Sequence, residues 1–138
     1  MPEPTPTVVT VDTEWTSMSE GAVLVTDGAT LTIVGSHEGP IEIAGSSSRL
    51  LVMGSVTGPV TVESLASVIV SGVLTGPVMI RVAGTVTVEA GGRLAGEISN
   101  YGSMVNRGHR AGAVEGRTPD DKPGSTALAP EHSRVLRR

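Results

Sequence analysis

The 138-residue sequence contains no cysteine, no phenylalanine, one tryptophan and one tyrosine. Without cysteine, the chain can form no disulfide, no zinc–thiolate site and no cysteine nucleophile. Aromatic side chains supply much of the buried area in compact globular domains. A core in this chain must therefore be built mainly from Val, Ile, Leu, Ala and Met side chains.

Long apolar runs and the common ligand-binding motifs are also missing. No apolar run approaches the roughly 20 residues of a membrane-spanning helix, and the first residues, MPEPTPT, lack the basic start and the apolar segment of a signal peptide. There is no phosphate-binding loop, no GxGxxG unit after a strand, no HExxH motif and no basic patch interleaved with aromatic residues. We therefore expect a cytoplasmic protein with no integral membrane segment, no catalytic, cofactor-binding or metal-binding residues, no cofactor and no nucleic-acid partner.

Charge is distributed unevenly along the chain. Residues 1–106 hold three arginines and ten acidic residues, a formal charge of −7, whereas residues 107–138 hold seven basic and four acidic residues, a formal charge of +3. The body of the protein is therefore acidic, and its C-terminal part is mildly basic.

What the sequence does contain is a repeat with many glycines. Segments that begin with glycine at positions 21, 39, 58, 76 and 96 align with spacings of 18, 19, 18 and 20 residues. Each of the first four carries two runs in which apolar residues alternate with period two, as in Val60 and Val62, then Val68 and Val70. Such alternation indicates strands, because successive side chains leave opposite faces. An antiparallel sandwich is the alternative, but it gives no reason for Gly-Pro pairs to recur in register.

Three short strands per repeat, separated by Gly or Ser corners, match the three faces of a β-solenoid. The sequence therefore predicts an all-β, single-domain β-solenoid (β-helix) of about five short three-strand coils. The Gly-Pro pairs at 39–40, 58–59 and 76–77 would form corners, with glycine at positive φ. His37 falls at an inward position, where we expect a neutral, hydrogen-bonded histidine.

The two ends of the chain are predicted to differ from the repeat. Residues 1–20 form an N-terminal extension and partial capping coil, in which Trp15 covers the first layer. Residues 21–106 form the solenoid, and Asn100 at an inward position indicates a more polar capping layer at its end. Residues 107–138 lose the alternation and are rich in Gly, Pro and charge, so we expect a flexible, mildly basic tail.

Two groups of exposed side chains are candidate binding surfaces. Glu20 and Glu38 occupy the same position in successive coils and Glu42 follows the next corner, which predicts an acidic docking edge for a basic partner or a divalent cation, with a solvated edge as the alternative. Aliphatic side chains that point outward predict an interaction surface. They are Leu51, Ile69, Val73, Met79 and Leu24.

The recurrent GxVxV and G-[ST]-V-T-G signals, as in GSVTGPVTV and SGVLTGPVMI, resemble those of the bactofilins, polymer-forming bacterial cytoskeletal proteins with a β-helical core and flexible tails. The resemblance covers roughly residues 21–106. It implies end-to-end polymerisation without nucleotide, and it supplies no catalytic residue.

Together these observations predict a non-enzymatic structural or scaffolding protein that self-assembles through its β-solenoid into a homo-oligomer or filament. The alternative is a small acidic binding module, such as an antitoxin or immunity-type protein, that docks a basic protein partner by charge complementarity. Raising the salt concentration distinguishes the two hypotheses, because salt screens an acidic docking surface but leaves apolar stacking intact.

Overall fold

The alternating residues form strands of two to four residues, and three strands with their corners complete one coil. The computed structural model describes residues 7–128, which contain 21 strands and no helix. These strands form seven coils, so the prediction of an all-β solenoid is confirmed.

Each coil contributes one strand to each of three faces, in the same order. The bounds are, for coil 1, β1 (Thr7–Val9), β2 (Thr13–Trp15) and β3 (Met18–Glu20); for coil 2, β4 (Val23–Val25), β5 (Thr30–Ile33) and β6 (Ser36–Glu38); for coil 3, β7 (Ile41–Ile43), β8 (Arg49–Val52) and β9 (Ser55–Thr57); for coil 4, β10 (Val60–Val62), β11 (Ser67–Val70) and β12 (Val73–Thr75); for coil 5, β13 (Val78–Ile80), β14 (Thr85–Val88) and β15 (Arg93–Ala95); for coil 6, β16 (Ile98–Asn100), β17 (Ser103–Asn106) and β18 (His109–Ala111); for coil 7, β19 (Val114–Gly116), β20 (Asp120–Asp121) and β21 (Thr126–Leu128).

The coils stack into three parallel seven-stranded sheets, in which each strand pairs with its counterparts in the neighbouring coils. Sheet A runs from β1 to β19, sheet B from β2 to β20 and sheet C from β3 to β21. In sheet A, Val60 pairs in register with Ile41 on one side and Val78 on the other. Successive coils therefore lie about 4.8 Å apart, and side chains at one position form a column along the solenoid.

Aliphatic columns fill the interior, because inward positions in coils 2 to 5 are almost all buried Val, Ile and Leu. One column on sheet B reads Leu31, Leu50, Val68, Val86 and Met104. Burying one such side chain contributes about 1.5–3 kcal/mol. The interior between three close faces suits these side chains, which accounts for the absence of phenylalanine.

Glycine is required at two kinds of corner. The predicted Gly-Pro corner has Gly58 at φ 138, a region that favours glycine, as expected. At the corner between sheets B and C the constraint is steric: a Cβ on Gly72 would overlap the carbonyl oxygen of Gly54 in the preceding coil. Glycine at these corners therefore lets the backbones of successive coils approach closely.

The predicted extent of the solenoid is wrong at both ends. Residues 7–20 form a complete coil rather than a partial one, and residues 109–128 supply four strands that belong to coils 6 and 7 instead of a flexible tail. At the C-terminal end the sequence shows no apolar alternation, because the inward positions hold Asn106, Arg110 and Asp121. Residues 1–6 of the predicted extension and 129–138 of the predicted tail lie outside the described residues.

Candidate functional site

The outer face of sheet B brings two of the predicted interface residues together. Leu51 and Ile69 pair in register on neighbouring strands, and both side chains are half-buried. Val34 and Met53 follow the ends of β5 and β8 and are exposed. We call Leu51, Ile69, Val34 and Met53 the sheet B patch. Val34 and Met53 were missed in the sequence because they lie just beyond the alternating run.

The remaining predicted interface residues lie elsewhere. Val73 is exposed on sheet C. Leu24 and Met79 share one outward column of sheet A, but Glu42 and Thr61 separate them. The five predicted residues therefore occupy three faces, and only Leu51 and Ile69 are neighbours.

The three predicted edge glutamates are divided between two sheets. Glu20 and Glu38 pair in register on sheet C, as the repeat predicts. Glu42 lies on sheet A, where its carboxyl group is close to that of Glu63. This contact raises the pKa of Glu42, with a smaller contribution from burial, whereas Arg81 acts in the opposite direction. Within residues 7–128 no group of three or more His, Asp or Glu side chains could hold a metal ion.

The N-terminal end of the interior holds His37 beside Ser19 and Trp15. His37 is buried; its Nδ1 lies 2.8 Å from Ser19 Oγ and its Nε2 2.9 Å from the carbonyl oxygen of Gly21. Because a carbonyl oxygen only accepts, Nε2–H donates to Gly21 and Nδ1 accepts from the Ser19 hydroxyl. Trp15 packs against the ring, with centroids 5.8 Å apart.

This environment favours the neutral imidazole. Burial lowers the pKa of His37 below its usual value, whereas the Gly21 hydrogen bond and the Glu38 charge act in the opposite direction. In a catalytic triad a carboxylate holds the imidazole; here a main-chain carbonyl takes that place. The Ser19–His37 contact was missed in the sequence, although both residues hold the same position in successive coils.

A second polar group lies at the C-terminal end of the interior. Arg110 donates two hydrogen bonds to Asp121, at 2.9 and 2.8 Å, and Asn106 Nδ2 donates to Asp121 Oδ1 at 3.0 Å and to the carbonyl oxygen of Thr126 at 2.9 Å. The Arg110 hydrogen bonds lower the pKa of Asp121, against a smaller effect of burial. We call Asn106, Arg110 and Asp121 the C-terminal polar layer.

Only one of the two predicted capping residues lies in an end coil of the described solenoid. Trp15 belongs to coil 1, at one end of the described solenoid, and is partly buried against Ile33 and His37. Asn100 is buried in coil 6 and is followed by coil 7, where Gly116 is its partner. Its side chain donates to the carbonyl oxygen of Arg117 and accepts from the amide of Gly102. Asn100 therefore joins coils 6 and 7 rather than closing the stack.

The described residues contain no helix of the length and apolarity needed to cross a membrane. Comparison with known proteins finds no significant match to any protein-family model, curated protein or solved structure.

Proposed function

We propose that this protein is a non-enzymatic structural protein whose β-solenoid binds further copies of itself. The observation that carries the proposal is the order of strands in the sheets. In all three sheets the strands of coil 1 form one edge and those of coil 7 the other, so among residues 7–128 each end coil is paired on one side only.

Such edges are templates for pairing, because they present rows of main-chain N–H and C=O groups. Every coil inside the solenoid already shows the pairing that a further coil would make. The end of another copy presents three edges with the same spacing and cross-section, so it can pair with all three at once. Stacking of this kind needs no nucleotide or cofactor.

A lateral contact through the sheet B patch is the second route to assembly. This patch holds two half-buried and two exposed aliphatic side chains, and such side chains stabilise association when a second apolar surface covers them. The end-to-end route agrees with the resemblance to bactofilins, and a bactofilin-like cytoskeletal role in the cytoplasm is part of the proposal.

The lateral route is tested with a substitution on the outer face. In Leu51→Glu we expect the fold to remain, since the side chain points outward, and the lateral contact to weaken because a carboxylate would be buried in an apolar contact. Thr87→Glu, two coils away in the same column, is the matched control. Light scattering across protein concentrations measures the oligomer; an unchanged mass in Leu51→Glu at every concentration would remove the patch from the proposal.

The second candidate function is an acidic module that docks a basic protein. It is favoured by the Glu42–Glu63 contact, where two carboxyl groups share one site and the pKa of Glu42 is raised. Arg81 already lies 3.5 Å from Glu63 at this site, and a further cationic side chain from a partner would stabilise both carboxylates. Titration with a lysine-rich peptide tests this candidate: binding that weakens with salt and is lost in Glu42→Gln/Glu63→Gln supports it, and an absence of binding at low salt contradicts it.

A further inference from the structure

The outer face of sheet C carries acidic and basic side chains at opposite ends. Glu20 and Glu38 hold the last outward position of β3 and β6, and both are exposed. Arg93 and His109 hold the first outward position of β15 and β18 and are exposed as well. Among residues 7–128, neither the two glutamates nor Arg93 has an ion-pair partner. The face is therefore acidic at coils 1 and 2 and basic at coils 5 and 6.

A depression of about 260 Å³ lies beside the two basic side chains. Its lining includes Arg93, His109, Ala95 and Ala111. The two alanines hold the last outward position of their strands, the position that the glutamates hold in coils 2 and 1. His109 Nδ1 lies 2.6 Å from Thr126 Oγ1, and Nε2 has no hydrogen-bond partner in the described part of the chain. The basic end therefore offers both space and donors for carboxylate side chains.

Between its charged ends the face is uncharged. Coils 3 and 4 present Ser55, Thr57, Val73 and Thr75 outward. These side chains are short, so a second sheet can pack against them face to face at about 10 Å.

The spacing of the charges makes this face complementary to itself. In a second copy with its axis reversed, and coil 3 of one copy facing coil 4 of the other, coil 2 faces coil 5 and coil 1 faces coil 6. Glu38 then lies opposite Ala95, and Arg93 is two residues away on the same strand. The Cα atoms of Glu38 and Arg93 are about 12 Å apart for sheets at this separation, a distance that two long side chains span. Glu20 has the same relation to coil 6, where the basic residue is His109.

The sizes of the facing side chains also match in this arrangement. Arg93 lies opposite Ser36, and Val73 lies opposite Ser55, so larger side chains meet smaller ones. Met18 is the exception, since it lies opposite His109. With the two axes parallel and each coil facing its own counterpart, the glutamates of both copies would instead lie together, and like charges repel.

From these observations we infer that the outer face of sheet C binds the same face of a second copy, in an antiparallel dimer with two-fold symmetry. Glu38 and Glu20 of each copy pair with Arg93 and His109 of the other, so the contact is self-complementary and closed. The inference rests on the proposed self-association and assigns to it a surface separate from the coil ends and the sheet B patch. Six coils at about 4.8 Å and strands of about 10 Å give a face of roughly 300 Å² per copy, so the dimer is expected to be weak.

Charge reversal on the full chain tests the pairing. Arg93→Glu and Glu38→Arg each set like charges opposite one another and should raise the dissociation constant about tenfold or more at low salt. An equimolar mixture of these two variants restores opposite charges at both sites, and so does the double variant Glu38→Arg/Arg93→Glu. Both should recover the dimer in sedimentation velocity across protein concentrations, with circular dichroism to check folding. If neither recovers it, the pairing is contradicted.

The matched controls make the same changes of charge on sheet B. Glu14→Arg and Arg49→Glu lie at exposed outward positions of β2 and β8. Both should associate as the wild type does. Equal weakening in these controls would show that net charge, rather than the face of sheet C, determines association, and would overturn the inference.

Single cysteines report the orientation of the two copies, because the chain has no cysteine of its own. Ser36→Cys in coil 2 and Ala95→Cys in coil 5 face one another in the antiparallel dimer. A short bismaleimide should therefore crosslink an equimolar mixture of the two variants and neither variant alone. Crosslinking of Ser36→Cys with itself would indicate parallel solenoids and contradict the inference.

Salt separates a failure of this inference from a failure of the proposed function. A dimer through sheet C should weaken at high salt because its ion pairs are screened, whereas coil stacking and the sheet B contact should persist. Oligomers that resist salt and are unchanged by both charge reversals overturn the inference alone. A monomer at every protein concentration and salt level contradicts the inference and the proposed self-association together.

Discussion

At the residue scale, the polar side chains inside the solenoid are all explained by partners in neighbouring coils. Among the described residues no buried side-chain nitrogen or oxygen lacks a hydrogen-bond partner. His37 is supported from coils 1 and 2, and Asn106 reaches Asp121 and Thr126 of coil 7. Because an unsatisfied buried polar group costs about 1–3 kcal/mol, removing one partner from any of these contacts is expected to destabilise the fold.

The lowered pKa of His37 predicts that stability depends on pH. The unfolded chain binds a proton near the usual value of 6.5 whereas the folded protein binds it at lower pH, so the unfolded state holds more protons in this window. The free energy of unfolding should be constant above about pH 7 and decrease as pH falls through about 6.5. Urea unfolding at a series of pH values measures this decrease.

Two variants assign the effect to His37. His109→Ala removes an exposed histidine and should keep the decrease. Ser19→Ala/His37→Val removes both partners and places Val in line with Val56, so the decrease should disappear. An equal decrease in this double variant would show that other groups cause it.

The Arg110–Asp121 contact predicts unequal effects at neighbouring aspartates. Asp121→Ala leaves the Arg110 guanidinium largely buried without its carboxylate, and the cost should be about 1–2 kcal/mol, since Asp121 itself is partly exposed. Asp120→Ala breaks an exposed ion pair with Lys122 and should change stability by less than about 0.5 kcal/mol. Chemical denaturation of both variants checks the difference, and equal effects would contradict the assigned role of Asp121.

The Arg110–Asp121 contact also makes stability depend on pH. Here hydrogen bonds stabilise the charged carboxylate, whereas at His37 burial disfavours the charged imidazolium. The pKa of Asp121 is lowered, so its contribution is present above its usual value of 3.8 and is lost as pH falls through the lowered one.

At the scale of the element, close approach of backbones at the corners determines which residues are tolerated. Gly72→Ala would place a Cβ against the carbonyl oxygen of Gly54 and should cost about 1–3 kcal/mol or prevent folding. A Cβ added to Gly91 would meet no atom within 4 Å, and this residue does not lie at positive φ, so Gly91→Ala should be neutral or slightly stabilising. Thermal unfolding of the pair tests this, and a tolerated Gly72→Ala would show that the coils can separate there.

Most strands could be predicted from the sequence because Val, Ile and Leu at inward positions give a clear period of two. The last strand of coil 6 and the whole of coil 7 could not, because inward positions there hold Arg110 and Asp121, which pair with one another across the coils. The candidate site was only partly predictable for the same reason. Strand register placed Leu51 beside Ile69, but the alternation gave no indication that Glu42 faces Glu63.

At the scale of the whole molecule, the proposed end-to-end stacking would place a further coil beside the C-terminal polar layer. If the C-terminal polar layer prevents further copies from stacking on that end, replacing its ion pair with apolar residues should allow them to stack. We expect Arg110→Leu/Asp121→Val to fold, since a buried ion pair can be replaced by apolar side chains at little cost, and to form longer species than the wild type. Negative-stain images of this variant and the wild type measure length; short particles in both would contradict a blocking role for the layer.

Sedimentation velocity of the full chain at low and high salt tests the central claim, that the solenoid binds further copies of itself, most directly. The predicted result is an associated species that persists at high salt, because salt screens charge–charge attraction but leaves main-chain pairing and apolar contacts intact. A monomer at every protein concentration and at both salt levels would contradict the claim and leave the acidic module as the better account.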